Sequence, residues 1–134
     1  MTKLVEIEGI GETYSSKLEE VGIKTIEQLL EAGASAKGRR TLEADSGISG
    51  KLILRWCNMA DLFRIKGVGE EYSDLLEAAG VDTVPELAQR NAENLHKKML
   101  EVNETKKLVR NPPAASQVAN WVAQAKELPR VMTY

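Results

Sequence analysis

Apolar residues recur along this chain at three- and four-residue spacings, and no sustained two-residue alternation appears. That period predicts helices and almost no strand. Tyr14, Leu18 and Val21 share one helical face, as do Tyr72, Leu76 and Ala79. Gly22 and Gly80 follow these faces and suit a left-handed C-terminal cap. Thr25 and Thr83 then read as N-caps, with Gln28 and Glu86 placed to complete a capping box. Pro85 falls in a first turn, where its missing N–H costs little. Further helices start after Ser35 and after Asn91, and the Ser46-Gly47 pair closes the first of these. Ser49 opens the next, which carries Leu52, Ile53, Trp56, Met59, Ala60 and Phe63 on one broad stripe. Asn111-Pro112-Pro113 breaks the chain before a last helix carrying Val118, Trp121, Val122, Ala125 and Leu128, and residues 129–134 read as a tail.

The pattern repeats. Ile7 to Leu30 and Ile65 to Ala88 align without a gap at a constant offset of 58 residues. Eleven of the 24 aligned positions are identical, too many for chance, so the chain contains an internal duplication. The identities include Gly9/Gly67, Gly11/Gly69, Tyr14/Tyr72, Leu18/Leu76 and Gly22/Gly80. With seven extra residues in the second copy, Ile53, Trp56 and Ala60 fall opposite Val118, Trp121 and Ala125. The expected organisation is all-α: unit one over 1–63 and unit two over 64–134, sharing one core.

Composition narrows the class. Hydrophobic residues at 43% support a real core, and charged residues at 28% argue against disorder. No apolar run approaches the roughly 18 residues of a membrane-spanning helix. The amino-terminal residues run straight into patterned sequence, so no signal peptide is expected and the cytoplasm is the expected location. A single cysteine, Cys57, permits no internal disulfide and no cysteine-ligated cluster. The net charge of −2 weighs against a dedicated nucleic-acid binder, which is usually basic.

Each repeat opens on apolar-Gly-apolar-Gly followed by a helix. Paired glycines permit a tight turn with positive φ and close backbone approach. The residue between them, Ile10 or Val68, tucks into the angle between helices, and the second glycine leads into a helix N-terminus, where unpaired N–H groups favour an anion. Ile7-Glu8-Gly9-Ile10-Gly11 and Ile65-Lys66-Gly67-Val68-Gly69 resemble the hairpins of the helix-hairpin-helix superfamily, which includes modules of DNA ligases, polymerases, glycosylases and nucleotide-excision proteins. Taken whole, the chain resembles an uncharacterised bacterial family carrying two such repeats. The resemblance implies a SAM-like helical fold, a DNA phosphate held by hairpin amides without sequence reading, and a monovalent cation on the hairpin carbonyls. By that resemblance the contacts would be Gly9, Ile10 and Gly11 in one unit and Gly67, Val68 and Gly69 in the other.

Charge separates the two hairpins. The first is flanked by Glu6, Glu8 and Glu12, which repel phosphate and leave it a packing role. The second has Arg64 and Lys66 before the turn, although Glu70, Glu71 and Asp74 follow it. Lys37, Arg39, Arg40, Lys97, Lys98, Lys106, Lys107 and Arg110 read individually as solvated helix faces, and together as a surface that could join Arg64 and Lys66. His96 has no ligand-spaced partner and suits a half-exposed helix face; Cys57 suits a buried, inert thiol; Trp56 and Trp121 suit the core. No Walker-type Lys-Ser/Thr pair follows either Gly-x-Gly. The expectation is a non-enzymatic module that contacts nucleic-acid backbone, the alternative being a protein-interaction or scaffold module.

Overall fold

Helices account for almost all the regular structure in a computed structural model, which describes residues 2–134; Met1, where the expected first unit begins, lies outside them. Among the described residues the only extended pairing is a single antiparallel bridge between Lys3 and Thr25. Among the described residues eight α-helices follow a 3-10 turn at Leu4–Glu6: α1 Glu12–Glu20, α2 Ile26–Gly33, α3 Ala36–Ser46, α4 Gly50–Leu62, α5 Glu70–Ala78, α6 Val84–Ala88, α7 Ala92–Lys106 and α8 Ala115–Glu127. The protein is all-α, and no described helix is long and apolar enough to cross a membrane.

The chain divides into two compact units, Met1–Asp61 with Val131–Tyr134 and Leu62–Arg130. The last four residues therefore belong to the first unit, although 129–134 read from sequence as a tail. Local chemistry sets the helix ends in each. In unit one, the Ile23 amide donates to the Leu18 carbonyl and the Gly22 amide to Glu19, with Gly22 at φ 88°. In unit two, Val81 donates to Leu76 and Gly80 to Glu77, with Gly80 at φ 96°. Both are complete Schellman caps, which satisfy carbonyls that a helix end would otherwise leave open. Ser35 and Asn91 cap α3 and α7 through their side chains, and Gly47 closes α3 in the left-handed region.

Neither of the two expected capping boxes is complete. The Thr25 hydroxyl accepts from the Gln28 amide at 3.1 Å, but the Gln28 side chain reaches the Lys24 amide at 2.7 Å, one residue upstream of the box position. Thr83 makes no side-chain cap; its hydroxyl donates to the Glu86 carboxylate at 3.4 Å. Proline in the first turn of α6 already removes one donor that would need capping.

Each unit buries its own apolar stripe. In unit two Leu62, Ile65, Val68, Leu75, Leu76, Val81, Leu87, Leu95, Met99, Val118, Trp121 and Ala125 form one cluster. In unit one Leu4, Ile7, Ile10, Leu18, Ile26, Leu29, Ile48, Ile53, Trp56 and Met59 are buried. Of the stripes read from the three- and four-residue spacing, Leu18, Ile53, Trp56, Met59, Ala60, Leu76, Ala79, Val118, Trp121, Val122 and Ala125 are buried, whereas Tyr14, Val21, Leu52, Phe63, Tyr72 and Leu128 are half-buried. Asn103 is a polar exception: its amide group donates to the Val109 carbonyl at 3.1 Å and accepts from the Val109 amide at 2.9 Å. That double bond pattern closes the turn after α7, where Lys107 takes a left-handed φ of 51°.

Candidate phosphate-binding corners

The two Gly-x-Gly segments fold into the same local structure. The Ile10 amide donates to the Ile7 carbonyl at 3.1 Å, and the Val68 amide to the Ile65 carbonyl at 3.1 Å. These bonds close four-residue turns whose third residues, Gly9 and Gly67, sit at φ 96° and 97°. A hydrogen-bonded turn with positive φ at its third position is the type II pattern, which glycine fills without strain. The second glycines behave differently. Gly11 (φ −91°, ψ −171°) and Gly69 (φ −119°, ψ −156°) are extended N-caps of α1 and α5. Only the first glycine of each pair thus needs glycine's freedom, whereas the sequence suggests it for both.

A tryptophan lies under each corner. A Cβ on Gly9 would stand 3.3 Å from Trp56 Nε1, and a Cβ on Gly67 would stand 3.0 Å from Trp121 Nε1. Tyr14 meets Trp56 edge-on with ring centroids 5.0 Å apart, and Tyr72 packs on Trp121 at 5.1 Å in a tilted arrangement. The tryptophans are core residues, and the repeat at 56 and 121 is one corner-supporting device used twice. Around the second glycines there is only open space: a Cβ on Gly11 or Gly69 would meet no atom within 4 Å.

The expected contacts divide accordingly. Gly9, Gly11 and Gly67 are exposed, and Gly69 is half-buried. Ile10 and Val68 are buried, and their amides are spent on the turn. These two residues hold the corner instead of offering N–H groups to a ligand, because closing the type II turn consumes that donor. The Gly11 and Gly69 carbonyls accept from Ser15 and Ser73, both at 2.9 Å, so each helix begins directly after its corner. First-turn N–H groups there have no intrahelical carbonyl to bind.

The surroundings of the corners differ. In unit two the Lys66 amide donates to Gln124 Oε1 at 2.9 Å, and Gln124 Nε2 donates to the Lys66 carbonyl at 3.1 Å. Asn120 Oδ1 orients that amide group through a 2.7 Å bond from Gln124 Nε2. Lys66 is exposed, on a backbone clamped from both sides. Arg64, the other expected cation, donates from Nη2 to the Pro129 carbonyl at 2.6 Å, which draws its guanidinium to the end of α8. In unit one the corresponding backbone support comes from Arg55, whose Nη1 donates to the Glu8 carbonyl at 3.5 Å. Glu6, Glu8 and Glu12 are all exposed around this first corner. The sequence reading missed Gln124, Asn120 and Arg55; their signal is their position beside the repeated tryptophans, one at Trp56−1 and the others flanking Trp121.

The remaining candidates are placed as follows. Lys37, Arg40, Lys97, Lys98, Lys106, Lys107 and Arg110 are exposed. Arg39 is buried: Nη1 donates to the Gly33 carbonyl at 2.8 Å and the Ala34 carbonyl at 3.2 Å, and Nη2 to the Thr133 carbonyl at 2.8 Å. It caps the C-terminus of α2 and is no part of a solvated basic face. Cys57 is fully buried, and burial pushes its thiol up to about 12, with Arg39 pulling weakly the other way. His96 is half-buried with Nε2 2.9 Å from the Pro113 carbonyl, which ties α7 to the proline break. Burial, then the nearby Glu86 and Glu77, raise the Asp82 carboxyl above its ordinary value. Among the described residues no group of His, Cys, Asp and Glu is arranged to hold a metal ion.

The sequence profile of a domain of unknown function, DUF4332, matches residues 8–128. Comparison with curated proteins and with solved structures gives no significant match.

Proposed function

The chain belongs to DUF4332, a family of unknown function, and from the geometry of its corners we propose that the second is a nucleic-acid contact of the helix-hairpin-helix kind. In this reading the protein is a non-enzymatic module that holds backbone phosphate without reading sequence. The observation that carries it is the pairing of an exposed Gly67 corner with a rigidly held Lys66 backbone. A phosphate set before α5 would meet first-turn amides and the positive end of the helix dipole. Lys66 would supply the one full positive charge closest to the turn. The empty space over Gly69 lets a ligand approach the backbone there. Glu70 and Glu71 in the first turn of α5 oppose an anion, so affinity is weak and strongly dependent on salt. A monovalent cation on the corner carbonyls belongs to the same reading.

Fluorescence anisotropy of labelled duplex and single-stranded DNA at low ionic strength tests this. Binding should weaken as salt rises, and Lys66→Glu should reduce the salt slope by about one unit or more. Gly69→Val should abolish binding while leaving the helical circular dichroism unchanged. If the folded protein binds neither form of DNA at low salt, the proposal is wrong.

A second reading attaches to the first corner, whose exposed Glu6, Glu8 and Glu12 suit a basic protein surface better than phosphate. Here the protein acts as an interaction or scaffold module. Glu8→Lys should then weaken a reproducible protein complex and leave DNA binding by the second corner untouched.

A further inference from the structure

Residues Val131–Tyr134 lie outside every helix, yet they are bound to unit one at three places. The Thr133 amide donates to the Ala34 carbonyl at 2.8 Å, and Arg39 Nη2 donates to the Thr133 carbonyl at 2.8 Å. The Met132 side chain is 1% exposed. The Tyr134 hydroxyl donates to Asn58 Oδ1 at 2.8 Å, while the Arg39 guanidinium sits 5.3 Å from the centre of the Tyr134 ring. Backbone bonds on both sides of one residue, a sealed apolar pocket before it and a polar-tipped aromatic after it are how folded domains hold short linear peptides.

The residues that receive this segment have other partners of their own. Arg39 also donates to the Gly33 and Ala34 carbonyls, so its guanidinium remains anchored on the C-terminus of α2 if Thr133 leaves. The Leu29 and Ile53 amides bond within their own helices, to Thr25 and Ser49. Of the four residues only Met132 is buried, and Tyr134 is 64% exposed. The Thr133 hydroxyl bond to Ala34 and the Tyr134 bond to Asn58 are both exposed, and exposed polar bonds mark a segment that opens below the free energy of global unfolding.

We infer that unit one carries a groove for a peptide of the pattern apolar-x-aromatic, formed by the α2–α3 junction and α4. Val131–Tyr134 of the same chain is its occupant, seated as a detachable latch. When the latch opens, the Met132 pocket and one edge of Arg39 become available.

Native-state hydrogen exchange on the whole protein tests the opening. The Thr133 amide should exchange about tenfold faster, or more, than the Leu29 and Ile53 amides. Exchange of all three at one common rate would make the segment part of the cooperative core and overturn the inference. A full-length Met132→Asp variant tests the groove. It should keep its helical circular dichroism and bind a fluorescent peptide of residues 130–134 at least about tenfold more tightly than the wild type, whose groove is filled in cis. The same peptide carrying Asp at the Met132 position should not bind. Loss of helical structure in Met132→Asp, or a folded variant that ignores the peptide, refutes the latch.

Discussion

Replacing Gly67 with alanine should destabilise the protein by about 2–4 kcal/mol, whereas the same change at Gly69 should stay within about 0.5 kcal/mol of wild type. The two positions are separated by one residue, and the difference comes from backbone and neighbours. Gly67 is held at φ 97°, a conformation that costs an L-residue about 1–3 kcal/mol. Its new methyl would lie 3.0 Å from Trp121 Nε1, so the indole must shift within a packed core, at about 1–3 kcal/mol. Reduced freedom of the unfolded chain returns about 0.4–1 kcal/mol. At Gly69, φ is −119° and the methyl meets nothing within 4 Å. There the unfolded-state gain is offset by alanine's poor N-capping, a term of similar size. Gly9→Ala should fall between, because the groups crowding it are the end of the Arg55 side chain at 3.1 Å and Trp56 at 3.3 Å. Gly11→Ala should be silent. Urea unfolding followed by tryptophan fluorescence measures the series, with Trp121 reporting unit two and Trp56 unit one in single-tryptophan backgrounds. Equal losses for Gly67→Ala and Gly69→Ala would show that the type II corner is not what requires glycine.

Three further outcomes follow from the same geometry. The Cys57 thiol stays protonated in the fold up to about 12 while its ordinary value is 9.0. Stability is therefore full below pH 9 and falls through that window, so wild type should lose about 1.4 kcal/mol per pH unit relative to Cys57→Ala, measured by urea midpoints. Asn103→Ala leaves the buried Val109 amide and carbonyl without their side-chain partner, which should cost about 2–4 kcal/mol in thermal unfolding. Lys107→Gly relieves a left-handed residue at the end of α7 and should stabilise by about 1 kcal/mol in the same assay, provided the Asn103 turn is intact.

Much of the fold is legible because its determinants are local. Ser35, Asn91, Gly22, Gly47 and Gly80 each act on a backbone group within a few residues, and each does what its position along the chain suggests. The tryptophans are legible for another reason: a duplicated sequence places them at matching points, and matching apolar points pack alike. The candidate site was readable only in outline. Both corners were evident as Gly-x-Gly before a helix, but the roles inside them were not. Whether an amide is free depends on the turn it closes, which removed Ile10 and Val68 from the expected contacts. Charge along the chain also does not show where a cation is held: Arg64 and Arg39 donate to carbonyls distant in sequence, at Pro129 and Thr133.

What the order of residues determined by itself was the all-helical class, the duplication and the place of each corner, since periodicity, caps and turns are settled by neighbours a few positions away. Tertiary structure alone decided that a tryptophan fills the space behind only the first glycine of each pair. It alone turned Arg39 inward and bound Thr133 to Ala34, 99 residues away along the chain. Those outcomes depend on which surfaces meet after the helices form, and no short window of sequence contains both partners.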